Sequence, residues 1–157
     1  MTLKFSKKAK DQVNDILGRY PTKQAAVMPV LFLAQGEFGH TSQEVMELVA
    51  ETLELSYAHV YGVATFYTMY NKKPVGKYHI QLCRTLSCAM MGGEALQEYL
   101  EEKLNIKEGQ TTADGKFTLA TVECLASCGT APMMQINRTY YENLTPEKVD
   151  QILEELK

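Results

Sequence analysis

The chain has 157 residues, of which 45% are hydrophobic and 22% are charged. A chain of this length forms one domain or two small ones, and it buries roughly 70% of its unfolded surface without needing disulfides. Sixteen basic against nineteen acidic residues give a formal net charge of −3. That charge provides no basic surface for nucleic acid or for an anionic membrane. The longest nearly apolar run, residues 25–34, is well short of the roughly 20 residues that span a bilayer.

The N-terminal segment predicts a cytoplasmic location. It is basic but leads into polar and acidic residues, so it lacks the apolar stretch of a secretory signal and the acid-poor composition of a transit peptide. The four cysteines are too few for a disulfide scaffold. In a reducing compartment, clustered cysteines more often serve metal or redox chemistry.

The first half of the chain is expected to be helical. Ser6 is placed to cap a first helix with apolar residues at offsets of three and four, and Tyr20 precedes a proline that ends it. A second helix is predicted from about residue 22 to residue 35. Pro29 is expected to kink or divide this helix because it lacks a backbone donor, and Gly36 is expected to end it.

Two further helices are predicted before residue 70. Thr41 and Glu44 have the spacing of a capping box at the start of the third helix. Ser56 is placed to open a short fourth helix over residues 57–62. Residues 63–69 are rich in β-branched and aromatic side chains, which suit a strand equally well; we favour a helix.

The sequence pattern changes from helical to strand-like at residues 71–76. This change predicts a helical domain over residues 1–72 and a second domain over residues 73–157. The second domain is expected to begin with a strand that alternates polar and apolar residues. The elements expected in it are a strand at 77–82, a helix at 92–104, strands at 117–122, 133–137 and from 140, and a last helix capped by Thr145 with Pro146 at its first position. This order is βαβββα. A right-handed crossover makes its first two strands parallel, so the predicted fold is α/β (α+β overall), a helical bundle followed by a thioredoxin-like domain.

The cysteines form two pairs, Cys83-x4-Cys88 and Cys124-x3-Cys128. Each pair begins where a predicted strand ends and a loop emerges. Ligands in open α/β sheets collect outside the carboxyl ends of the strands. If the two strands are parallel neighbours, both pairs therefore converge on one small site.

Several kinds of cysteine site compete at this point. All-cysteine zinc sites usually use Cys-x2-Cys pairs, and a thioredoxin-type dithiol needs Cys-x-x-Cys at a helix start; neither spacing is present. Structural disulfides are uncommon in a reducing compartment. An iron–sulfur cluster held by four thiolates is favoured, with a four-cysteine zinc interaction module and a thiol–disulfide protein as alternatives from other classes.

Three segments closely resemble a known family: CRTLSC, ECLASCGTAPMMQIN and HVYGVATFYTMYNKKPVGKYHIQLC. They are similar to the E-type [2Fe–2S] subunit of NADH:quinone oxidoreductase, respiratory complex I, over about residues 16–156. Related chains occur in NAD-linked hydrogenases and formate dehydrogenases. The resemblance implies that Cys83, Cys88, Cys124 and Cys128 hold one [2Fe–2S] cluster. It also implies a partner flavoprotein subunit that carries FMN, a [4Fe–4S] cluster and the NADH site.

The function expected from this resemblance is single-electron transfer next to the flavin of an NADH:quinone oxidoreductase. The alternative within the family is the equivalent subunit of an NAD-linked hydrogenase or formate dehydrogenase. The chain is expected in the peripheral arm of a membrane-associated complex, without membrane insertion of its own. It has no Gly-x-Gly-x-x-Gly fingerprint, so in isolation it is expected to catalyse nothing.

Other residues near the cysteines have more than one interpretation. The backbone amides of residues 129–131 are candidate donors to sulfur. Arg84 either favours the reduced cluster through its charge or is a solvated loop arginine. Met90–Met91 and Met133–Met134 either shield the site or simply fill space. Pro132 stands where thioredoxins keep a cis-proline, although most X-Pro bonds in folded proteins are trans.

Overall fold

A computed structural model describes residues 3–156 of the chain. The backbone separates into two compact units between Pro74 and Val75. The first unit contains helices only, and the second contains a four-stranded sheet with helices. The predicted combination of a helical bundle and a βαβββα sheet domain is confirmed. Among residues 3–156, no helix is both long enough and apolar enough to cross a bilayer.

Four helices form the first unit: α1 Lys7–Arg19, α2 Val27–Phe38, α3 Gln43–Leu53 and α4 Tyr57–Phe66. Their apolar faces share one core, which includes the fully buried Leu31, Leu53 and Tyr70. The Tyr70 hydroxyl donates to the Met28 carbonyl at 2.9 Å, so this polar group is satisfied inside the core. Residues 63–66 continue α4 as a helix, as favoured from the sequence, and the backbone becomes extended at Tyr67.

The cap of α3 differs from the prediction. Ser42, and not Thr41, is the N-cap residue, and its side chain accepts from the backbone of Val45 at 3.3 Å. The Ser42 hydroxyl also donates to Glu44 at 2.7 Å. Thr41 is fully buried and donates to the Asn71 carbonyl at 3.0 Å. Adjacent hydroxyl residues compete for a cap, and a contact 30 residues away decided between them.

The predicted bounds of α2 are wrong at both ends. The helix begins at Val27, so Pro29 lies in its first turn and does not kink it. Backbone N–H groups in the first turn have no acceptor within the helix, and a proline there therefore removes no hydrogen bond. Gly36 lies within the helix. Gly39 ends it with a left-handed φ of 82°, and its N–H donates to the Gln35 carbonyl at 2.8 Å.

The second unit contains the sheet, in the strand order β2-β1-β3-β4. Its elements are β1 Tyr78–Cys83, α5 Leu86–Met90, α6 Gly93–Leu104, β2 Phe117–Val122, a 3-10 turn Cys128–Thr130, β3 Met134–Ile136, β4 Thr139–Tyr141 and α7 Pro146–Glu155. Strands β1 and β2 are parallel, whereas β1 with β3 and β3 with β4 are antiparallel. This is the predicted topology, with the short helix α5 as an element that the sequence did not predict.

The core of the second unit lies between the sheet and its helices. Ile80 and Leu119 of the central strands are fully buried, together with Leu100 of α6 and Val149 of α7. Thr145 caps α7 as predicted, since its hydroxyl accepts from the Lys148 amide at 3.3 Å. The peptide bond that precedes the buried Pro132 is cis.

Candidate metal centre

The two cysteine pairs start at the same edge of the sheet. Cys83 is the last residue of β1 and Val122 is the last residue of β2, and the two are register partners in the parallel pair. The next amide, that of Arg84, donates to the Val122 carbonyl at 3.0 Å. The two chain segments that carry Cys83–Cys88 and Cys124–Cys128 therefore leave the sheet side by side.

The first pair is buried. Cys83 is 4% exposed and Cys88 is 3% exposed. Cys88 is the buried residue of the short helix α5, which starts right after Thr85. Both cysteines pack against Met133, which is fully buried. Met133 also accepts the Cys83 amide at 3.1 Å through its carbonyl oxygen, and so ties the end of β1 to the residue before β3.

The thiols of the first pair interact directly. Burial raises the pKa of Cys83, but hydrogen bonds from Thr85, from the Leu125 backbone and from Cys88 outweigh it and hold this pKa below its usual value. Burial raises the pKa of Cys88, as do its hydrogen bond to Cys83 and the charges of Cys83 and Cys128. The Thr85 hydroxyl lies 3.5 Å from Cys83 Sγ. This environment therefore favours the thiolate, the metal-binding form of cysteine, more at Cys83 than at Cys88.

The second pair is exposed and lies on the loop after β2. Cys124 Sγ accepts from the Ala126 amide at 3.3 Å, and Ala126 has a left-handed φ of 60°. Cys128 begins the 3-10 turn. This loop also reaches the first pair, because Leu125 packs against the buried cysteines and Cys83 Sγ lies 3.7 Å from the Glu123 carbonyl oxygen.

Four cysteine thiols are the donor set that a [2Fe–2S] cluster uses. All four thiols are free. Among residues 3–156, no three histidine, cysteine or carboxylate side chains are gathered as ligands of one ion. A [2Fe–2S] cluster takes four thiolates, two on each iron. One buried and one exposed pair on adjoining loops match that division.

An ion pair joins the two cysteine loops. The Arg84 guanidinium donates to the Glu123 carboxylate through Nε, at 3.2 Å, and through Nη2. Arg84 directly follows Cys83, and Glu123 directly precedes Cys124. Both side chains are more than half exposed, so solvent screens the pair and its contribution to stability is small. Arg84 is therefore solvated, as one of the two interpretations expected, and it is also paired with Glu123; its effect on a cluster stays a prediction.

The other residues singled out near the cysteines have different positions. Met133–Met134 is fully buried, whereas Met90 and Met91 are 77% and 62% exposed. The Thr130 amide already donates to the Ser127 carbonyl at 3.1 Å, which speaks against this one of the three candidate donors; for residues 129 and 131 the prediction stays open. Sequence reasoning also missed Thr85 and Glu123. Their position near the cysteines is a visible signal, but it does not show that the Thr85 hydroxyl lies against Cys83 Sγ or that Glu123 pairs with Arg84 on the other loop.

A thioredoxin-like sheet with two cysteine pairs at the ends of parallel strands defines a class of iron–sulfur proteins. The chain belongs to the thioredoxin-like [2Fe-2S] ferredoxin family, whose model matches residues 13–157. It is 43% identical to the second E-type subunit of the NADH-quinone oxidoreductase of Rhizobium meliloti (strain 1021), over 94% of this chain and 88% of that one. It is 46% identical to the E-type subunit of the NADH-quinone oxidoreductase of Rickettsia bellii (strain RML369-C), over 98% of this chain and 93% of that one.

A solved structure has the same fold. An air-oxidized NAD+-reducing [NiFe]-hydrogenase aligns with 80% of this chain and with 22% of its own chain, at a TM-score of 0.69 and 21% identity. This similarity supports the thioredoxin-like fold. The sequence-based assignment to the family of E-type oxidoreductase subunits is confirmed by the relatives at 43–46% identity, and membership of a [2Fe-2S] family favours iron–sulfur chemistry over zinc.

Proposed function

We propose that this chain is an electron-transfer subunit that holds one [2Fe–2S] cluster through Cys83, Cys88, Cys124 and Cys128. The observation that carries the proposal is the parallel pairing of β1 with β2, which brings both cysteine loops to one edge of the sheet. The placement of Cys83 Sγ against the Glu123 carbonyl supports it further.

When bound by four thiolates, such a cluster takes up and releases one electron at a time. The chain's own residues set the conditions for this exchange. Met133 covers the buried pair on the side of the core and excludes water there. Hydrogen bonds from Thr85 and the Leu125 backbone keep Cys83 ready to deprotonate. The exposed Cys124 and Cys128 place the other side of the site near the surface, where a redox partner has access.

The proposed electron donor is the flavin of a partner flavoprotein subunit in an NADH:quinone oxidoreductase. NADH delivers two electrons as a hydride, and a flavin passes them on singly. This chain has no dinucleotide-binding fingerprint, so we assign NADH and FMN to the partner. We place the assembly in the peripheral arm of a membrane-associated complex. The relatives at 43–46% identity favour this complex over the hydrogenase, which is only 21% identical.

An apolar surface beside the cysteines supports a partner at this edge. Leu86, Met90 and Met91 belong to the segment that forms α5 around Cys88, and each is at least 62% exposed. Methionine is enriched in protein interfaces. We therefore propose that the flavoprotein subunit covers α5, which would bring its flavin to the exposed side of the cysteine site.

The test is anaerobic co-purification of the tagged chain from its native host, with EPR spectra before and after NADH addition. We expect equimolar iron and acid-labile sulfide in the chain, and a new signal of a reduced [2Fe–2S] cluster after NADH. In Cys83→Ser the signal should be altered or lost. In Ser87→Ala, a matched change in the same segment, it should be retained. Colourless protein with stoichiometric zinc would overturn the proposal, as would a cluster that survives replacement of both Cys83 and Cys88.

A further inference from the structure

The loop that carries Cys128 is fastened by one carboxylate that is distant in the sequence. Ser127 directly precedes Cys128, and Thr130 follows it by two residues. The hydroxyl oxygens of Ser127 and Thr130 lie 2.7 Å apart. Both hydroxyls reach the same oxygen, Oε1 of Glu142, with Thr130 Oγ1 at 2.8 Å. The carboxylate thus contacts one residue before Cys128 and one residue after it.

Glu142 is itself held in place. Lys148 of α7 donates through Nζ to the Glu142 carbonyl at 2.6 Å. The next two amides, those of Asn143 and Leu144, donate to the carbonyls of Thr130 at 2.7 Å and Pro132 at 2.9 Å. Residues 142–144 therefore form a backbone ladder along residues 130–132. Glu142 is half-buried, and its side chain adds contacts to the turn that contains Cys128.

Within the turn, the amide and the hydroxyl of Thr130 both lie 3.1 Å from the Ser127 carbonyl oxygen, so the turn's own hydrogen bonds join the same two residues that Glu142 contacts. The turn is a 3-10 turn of three residues, Cys128–Thr130, and such short pieces have little stability of their own. Cys128 is exposed, so the core does not hold its side chain. Cys88, in contrast, is packed against Met133. The position of Cys128 Sγ consequently depends on contacts made by the residues on either side of it.

We propose that Glu142 is a positioning residue for the metal centre. By accepting hydrogen bonds from Ser127 and Thr130, it fixes the turn so that the Cys128 sulfur is held where the cluster requires it. This inference rests on the proposed function, because it takes Cys128 to be a cluster ligand. Glu142 is then a residue outside the cysteine loops that helps to hold the cluster.

Three single variants of the holoprotein test it. Glu142→Ala removes both acceptor contacts. Glu142→Gln keeps an oxygen that can accept them. Asp114→Ala is the control, because Asp114 also accepts from a threonine hydroxyl and a backbone amide, but it lies in the turn before β2, at the strand's other end. The readouts are the rate of cluster loss to an iron chelator, and the g-values and line width of the reduced cluster by EPR.

We expect Glu142→Ala to lose its cluster at least roughly tenfold faster, the effect of losing one hydrogen bond to a charged group, and to show a broadened or shifted spectrum. Glu142→Gln should stay close to wild type in both readouts, as should Asp114→Ala. The inference is overturned if Glu142→Ala retains the wild-type rate and spectrum. It is equally overturned if Glu142→Gln is as defective as Glu142→Ala, since acceptance of the hydroxyls would then not be the cause.

A second route keeps the test decisive if Glu142→Ala does not fold. The double variant Ser127→Ala/Thr130→Val removes the donors and leaves Glu142 unchanged. It should lose its cluster as fast as expected for Glu142→Ala, and a wild-type rate would overturn the inference. Failure of the proposed function is distinguishable, because the wild-type protein would then contain no [2Fe–2S] cluster at all.

Discussion

Gly93 is where an added methyl group should disturb the metal centre most directly. It is the first residue of α6 and is buried. A Cβ atom built on Gly93 would lie 2.8 Å from the carbonyl oxygen of Cys88, 3.1 Å from the carbonyl carbon of Cys88 and 3.5 Å from the carbonyl oxygen of Cys83. The glycine therefore permits a close approach between the start of α6 and the backbone of both buried cysteines.

The size of the effect follows from these distances. The Cys88 oxygen would have to recede by about 0.6 Å to reach ordinary van der Waals contact. Backbone atoms yield less readily than the end of a flexible side chain, and overpacking of this kind costs about 1–3 kcal/mol. The φ of Gly93 is not in the left-handed region, so the steric contact alone distinguishes Gly93→Ala from wild type. We expect lower stability, a shifted EPR spectrum and faster loss of the cluster.

Gly76 offers a matched control. Its added Cβ would lie 2.9 Å from the backbone carbon and oxygen of Lys116, so the steric cost is similar. Gly76 precedes β1, at the opposite end of the strand from Cys83. Denaturant unfolding should show comparable destabilisation in Gly76→Ala and Gly93→Ala, while only Gly93→Ala alters the EPR spectrum. If both variants keep the wild-type spectrum, the reasoning about Gly93 is refuted.

Three further predictions concern charge, packing and pH. Arg84→Ala should lower the cluster's reduction potential, because it removes a positive charge that stabilises the more negative reduced cluster. Glu123→Gln should raise the potential, because it removes a negative charge. Redox-titrated EPR that shows no opposite shifts for the two variants would contradict this. Met133→Ala should cost about 2–5 kcal/mol in urea unfolding, because it empties a fully buried site; a loss below about 1 kcal/mol would show that the site collapses. Burial lowers the pKa of His79 below the ordinary 6.5, so the unfolded chain binds a proton first and the free energy of unfolding should fall as the pH drops below 6.5. His79→Gln should reduce that slope, and an unchanged slope would assign it to other groups.

The sequence by itself predicted the four strands of the second unit and the helices α6 and α7 in their observed order, though not α5. Polar–apolar alternation predicted β1, and Thr145 followed by Pro146 predicted the start of α7 at its observed residue. These are local signals, since one strand's alternation or one helix's cap involves residues only a few positions apart. The βαβββα order then implied the parallel pair β1–β2 through the handedness of the crossover. The spacing of the cysteines, with their flanking segments, indicated the family.

Only the tertiary structure decided which cysteines are buried and what holds them. Helix α5 has five residues, too few for a periodic signal, and it buries Cys88 by packing against Met133, which lies far along the chain. The capping-box spacing selected Thr41, but the Thr41 hydroxyl donates to the Asn71 carbonyl and Ser42 is the N-cap residue. The contact between Glu142 and the hydroxyls on either side of Cys128 spans 12 to 15 residues. Each of these outcomes depends on groups that come together only when the chain folds, and no short-range pattern in the sequence encodes such a meeting.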